Sequence, residues 1–190
     1  ALCLEQGLLT RTGEGWSCPA PHRMEEVLQT GLVIRRRLRD FGEAERSLLL
    51  LVSLAGGPLP TDLAAEASGL GSAEVEAIAA RLEAHGAVTL SGGLISAAHD
   101  EIADAAIADA SEEDRKRSQS RLGTAMAAAA KRDRYWQRRA VPHLVESGEW
   151  GKVPPIAADI LRSSLAGQHT LDAEIAALLG AKASGAHILR

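Results

Sequence analysis

Aromatic side chains are scarce in this sequence: one Phe, one Tyr and three Trp make up 3% of its 190 residues. A strand-rich domain draws on Val, Ile, Tyr and Phe to cover its pleated faces, so the shortage argues against a β-sandwich. Cysteine is nearly absent. Cys3 and Cys18 are the only two, with no CxxC and no Cys/His cluster at ligand spacing, which excludes a disulfide scaffold and offers no metal site. A reducing cytoplasm is the simplest setting for such a chain. Basic charge is in deficit as well, 21 Lys and Arg against 25 Asp and Glu for a net charge of −4. That balance lacks the general attraction to phosphate that drives nucleic-acid binding.

Long apolar runs are also missing. A spanning helix needs about 18 or more apolar residues, and the longest run here, Leu48 to Ala55, is short and contains Ser53. No basic segment followed by an apolar stretch opens the chain, so it carries no signal-peptide pattern. It starts at Ala1, and Ala1-Leu2-Cys3-Leu4 reads as an apolar helix cut in mid-element, as in a piece excised from a larger protein. A GxxxxGK[ST] phosphate loop does not occur; Gly56-Gly57-Pro58 and Gly180-Ala181-Lys182 do not fit it. There is no GxSxG elbow and no HExxH, and His22, His85, His143, His169 and His187 are scattered. Neither catalysis nor a bound cofactor is expected within these residues.

What is present is alanine and leucine, which favour helices and let them approach closely. The expected fold class is mainly α. Leu8 to Arg11 and Gly15 to Cys18 read as two short strands around a Gly-containing turn. From Met24 to Arg39 the apolar residues Met24, Val27, Leu28, Leu32 and Leu38 form a helical stripe. A second helix is expected from Glu43 to Ala55, buried on most sides and stopped by Gly56-Gly57-Pro58. Thr61 is placed to cap a short helix ended by Gly69, and Ser72 to cap one from Ala73 to His85. Ala87 to Leu90, Ser91-Gly92-Gly93 and Leu94 to Ser96 then read as a tight β-hairpin.

Helices are expected again from His99 to Ala110, from the capping pattern Ser111-Glu112-Glu113-Asp114 to about Arg132, from Tyr135 to Glu146, from Val153 to Leu165 and from Thr170 to Leu179. The order predicts a winged-helix domain with a small β-hairpin, followed by antiparallel helical hairpins of tetratricopeptide type. The corresponding segments are 1–41, 42–110 and 111–190. Trp16, Trp136 and Trp150 are most simply packing anchors.

Three stretches carry a resemblance. Leu32-Val33-Ile34-Arg35-Arg36-Arg37-Leu38 leads into Glu43 to Leu49; Ala98-His99-Asp100-Glu101-Ile102 follows the hairpin; and Pro142-His143-Leu144-Val145-Glu146-Ser147-Gly148-Glu149-Trp150 opens the later helices. Their order is similar to the regulatory region of STAND-class signalling ATPases, such as the large LuxR-type and MalT-like bacterial regulators. The resemblance implies an ATPase core before residue 1 that uses ATP and ADP. It further implies a winged helix that packs on that core, and a helical array that senses a protein or small-molecule inducer.

By the same resemblance His99 reaches the phosphate of bound ADP, a role suited to an imidazole N–H donor. The competing reading of His99 is a helix-start residue that caps or packs locally. Arg35, Arg36, Arg37 and Arg39 are candidate interdomain contacts, although consecutive helical residues spread about 100° apart and do not share one face. Two further readings stand beside this one. A non-enzymatic interaction scaffold needs an exposed apolar groove after Ser111 and a His99 buried away from any phosphate. A DNA-binding regulator needs a basic helix, whereas Ala73 to His85 carries Glu74, Glu76 and Glu83 against Arg81 alone.

Overall fold

The computed structural model describes residues 4, 7–13, 15–23, 38–130 and 133–166, with side chains to 162. The stripe from Met24 falls almost wholly outside the described residues, as does the helix expected from Thr170. What is described is mainly helical, with two small antiparallel sheets. Near the amino end β1 (Thr10–Thr12) pairs with β2 (Gly15–Ser17), Arg11 standing opposite Trp16. This ribbon is exposed, and Trp16 is 61% accessible, so it does not anchor a core as expected.

The first long helix, α1 (Glu43–Ala55), has the predicted limits. Glu45 reaches back to the Gly42 N–H at 2.8 Å and so satisfies one of the donors that a helix start leaves open. Leu48 to Val52 are all buried, which makes α1 the spine of the core. Ser53 is buried with them, and its hydroxyl donates to the Leu49 carbonyl at 2.7 Å, so it costs little.

The chain then forms β3 (Leu59–Pro60), α2 (Thr61–Ser68), α3 (Ser72–Ala84), β4 (Val88–Ser91) and β5 (Leu94–Ala97). The three strands lie in the order β3-β5-β4, with Leu59 opposite Ile95 and Val88 opposite Ala97. Gly92 and Gly93 form the hairpin turn with φ of 57° and 78°, the left-handed conformation that glycine tolerates best. Strand β3 was not expected. It is two residues long and ends in Pro60, which an edge strand accepts because one side of its backbone is unpaired.

Two caps sit differently from expectation. Thr61 is the first residue of α2, and its N–H and hydroxyl both donate to the Gly93 carbonyl at 2.9 Å, tying the hairpin to the helix. Ser72 is likewise already helical; the Gly71 carbonyl takes the first bonds of α3, from Glu74 and Val75.

After β5 come α4 (Asp100–Asp109), α5 (Glu112–Ala129), α6 (Tyr135–Glu146), a 3-10 turn (Trp150–Lys152) and α7 (Val153–Ala166). Ser111 caps α5 as predicted, accepting from the Asp114 N–H at 3.0 Å. One apolar core runs from Leu38 and Phe41 through α1, α2, α3 and the sheet into Leu122, Met126 and Ala129 of α5 and Ala140 of α6. It therefore continues across residues 110 and 111. A second, smaller cluster joins Val141 and Val145 of α6 to Ile160 of α7, with Trp150, Val153 and Ile156 packed against it.

Helices α5 and α6 run antiparallel at close range, Gly123 against Leu144 and Ser120 hydrogen-bonded to Glu149. A Cβ on Gly123 would stand 2.7 Å from Leu144 Cγ and 3.0 Å from the Leu144 backbone nitrogen. Glycine is what allows the two backbones to meet.

Candidate functional site

His99 ends the hairpin and starts α4. Its backbone is extended, with φ of −150° and ψ of 152°, and its carbonyl accepts from the Ile102 and Ala103 N–H groups. It therefore occupies the cap position, one residue ahead of Asp100, which belongs to the helix itself. The imidazole makes no capping bond and is exposed. A free ring at a helix amino terminus can donate to an anion alongside the open backbone N–H groups of the first turn. Asp100 and Glu101 occupy that turn and complement the helix dipole.

The backbone on either side of His99 is held. Ala98 N–H donates to the Ala87 carbonyl at 3.0 Å, and β5 is paired on both edges. The ring thus projects from a fixed point beside the three-stranded sheet.

Arg39 is exposed on a helical turn that buries its neighbours Leu38 and Phe41. Arg35, Arg36 and Arg37 lie outside the described residues. Among the described residues no hydrogen bond or ion pair joins Arg39 to His99. Phe41 instead meets His85 edge-on, ring centroids 5.7 Å apart, while His85 Nδ1 lies 2.7 Å from the Arg81 carbonyl.

The outer face of α3 is acidic. Glu74 and Glu76 are exposed. Arg81, the helix's only base, donates through Nε to Glu45 Oε1 at 2.7 Å, and Glu83 accepts the Leu90 N–H at 2.8 Å. The Arg81 hydrogen bond, reinforced by the Gly42 N–H, holds the Glu45 carboxyl below its ordinary range. This helix offers phosphate no counter-charge.

A second feature was not anticipated. A cleft of about 920 Å³ opens between the carboxyl end of α1, Gln119 of α5 and the length of α6, with Ile160 at one side. Among the described residues Arg134, Arg138 and Arg139 line it, with one carboxylate, Glu146. Arg139 donates to Tyr135 Oη at 2.6 Å and to the Ala55 carbonyl, so it caps the end of α1 from a helix 84 residues away. Its guanidinium also stands 5.5 Å from the Tyr135 ring centroid and 5.8 Å from that of Trp136.

Below Arg139, His143 is buried at the α5–α6 contact, its Nδ1 bonded to Gln119 Oε1. Burial, with a smaller push from the Arg139 charge, lowers its pKa from 6.5 to about 4. The ring is therefore neutral at pH 7, and an Nδ1–H donating to the amide oxygen fixes its tautomer.

The signal for this cleft was in the sequence: residues 131–139 hold five bases and one acid around Tyr135 and Trp136. That is one base more than the Arg35 to Arg39 run holds, over a longer stretch. No group of His, Cys, Asp and Glu that could hold a metal exists among the described residues, and no helix among them is long and apolar enough to cross a membrane. Compared with known proteins, the chain matches no family model, no curated protein and no solved structure.

Proposed function

We propose that this chain is the regulatory part of a STAND-type signalling ATPase, with a winged helix at about 42–110 that packs on a nucleotide-binding core and helical hairpins after it that sense a partner or inducer. The observation that carries the reading is the run α1-β3-α2-α3-β4-β5 with its sheet order β3-β5-β4, followed by an exposed His99. We read that arrangement as a winged helix with α3 in the recognition position. The acidic face of α3 favours protein packing over a DNA groove.

In this account the domain interface is bistable and a phosphate contact biases it. His99, at the start of α4, donates to a phosphate of bound ADP and holds the closed state. Exchange for ATP removes the contact geometry and frees the winged helix. Catalysis belongs to the preceding core.

The reading is tested by ADP release from the protein in which that core precedes this chain. His99→Ala is expected to release ADP faster while remaining folded. Unchanged retention removes His99 from the phosphate. An interaction scaffold would then lead.

A further inference from the structure

We propose that the cleft along α6 binds a small soluble anion, one whose carboxylate or phosphate groups are gripped by Arg139 with Arg134 beside it.

Three observations converge on it. The first is charge. In a chain of net charge −4, Arg134 and Arg139 line the cleft together, Glu146 is the one carboxylate among its described lining residues, and α6 has no acidic residue in its first turn. The second is preorganisation. Arg139 is fixed by Tyr135 Oη, by the Ala55 carbonyl and by the two neighbouring rings. A guanidinium has five N–H donors, and among the described residues the hydrogen bonds of Arg139 go to those two oxygens alone. The rest of its fork is left for a planar oxyanion, which it can meet with two parallel bonds. A donor already held in place loses little freedom on binding.

The third is shape. About 920 Å³ falls at the upper end of the roughly 300–1,000 Å³ typical of small-molecule sites. Leu54, Pro142 and Ile160 supply apolar wall beside the arginines, and the exposed Tyr135 ring offers a face for a planar group. Acidic side chains of a protein segment share the same oxyanion chemistry. The volume and the apolar wall favour the small ligand. The site is independent of His99 and gives the sensed inducer a chemical class.

Calorimetric titration of the full chain with pyrophosphate and with citrate, at physiological salt, reads this directly. Saturable binding of at least one is expected. Arg139→Lys keeps the charge and loses the fork, and should weaken binding by about tenfold or more. The exposed Arg134→Gln should also weaken it, with unchanged far-UV circular dichroism showing that the fold is kept. Binding that does not saturate, or that is equal in both variants, overturns the site. Saturation by poly-L-glutamate alone also overturns it, and makes the face a dock for an acidic polypeptide. ADP release from the larger protein is a separate measurement, so the two proposals fail separately.

Discussion

The unit from α1 to β5 and the pair α5–α6 bury their surfaces by different means. In the first, large branched side chains interlock: Leu48, Leu49, Leu59, Leu82, Val75 and Ile95 are all almost fully buried, and the one buried polar side chain among its described residues, Ser53, bonds within its own helix. In the second, small residues bring two helices together, with Gly123 under Leu144 and Ala125, Ala129 and Ala140 nearby. A polar pair, Gln119 with His143, sits at that contact on the cleft side. The first arrangement makes a rigid platform for the hairpin and His99. The second leaves a charged cleft beside a contact whose stability depends on protonation.

That difference can be broken at defined points. The largest effect should come from acid. His143 must be neutral in the fold, with a pKa of about 4 against an ordinary 6.5. A depressed histidine contributes stability that is complete above pH 6.5 and is lost as pH falls toward 4, because the unfolded chain takes the proton first. Two and a half units correspond to about 3 kcal/mol. Denaturant unfolding from pH 7 to 4 should show that loss in the wild type and a flatter profile in His143→Gln. Parallel profiles would contradict the burial of a neutral ring.

Gly123→Ala should cost less, about 2 kcal/mol, since the new methyl meets the Leu144 side chain and backbone and the helices must part. Thermal unfolding measures it, and a neutral result would mean that α5 and α6 separate without strain. The smallest effect belongs to the platform's surface. Arg81→Ala removes the pair with Glu45, but Arg81 is 54% exposed, so a loss of about 0.5 kcal/mol is expected in the same assay. A larger loss would show that the bond between α3 and α1 matters more than its exposure suggests.

The contrast also explains what the sequence made legible. Helix α1 was readable to the residue because Gly42 and Gly56 bracket a run too apolar for any surface. The hairpin was readable from Gly92-Gly93 between alternating residues. Strand β3 was not: two residues have no periodicity, and only the partner β5 makes Leu59–Pro60 a strand. The caps expected at Thr61 and Ser72 were each one residue late. Thr61 is taken by the Gly93 carbonyl, while Gly71 and His99 cap with extended backbone instead of a side chain.

For the sites, the position of His99 after the hairpin was visible in the sequence, and its exposure required the fold. The cleft was hidden for a different reason. Its key bond joins Arg139 to Ala55 across 84 residues, a distance that no local pattern spans. Its charge was legible, but not the helix end that the charge meets. Trp136 and Trp150 do pack against the two clusters, and Trp16 does not.

The central claim is that His99 on this platform reads the nucleotide of a neighbouring ATPase core. The most direct measurement is the rate of ADP release from the protein containing both, for wild type, His99→Ala and a His85→Ala control. Loss of a hydrogen bond to a charged phosphate, about 1.5–3 kcal/mol, predicts release at least about tenfold faster for His99→Ala alone. Equal rates for all three proteins would contradict the claim.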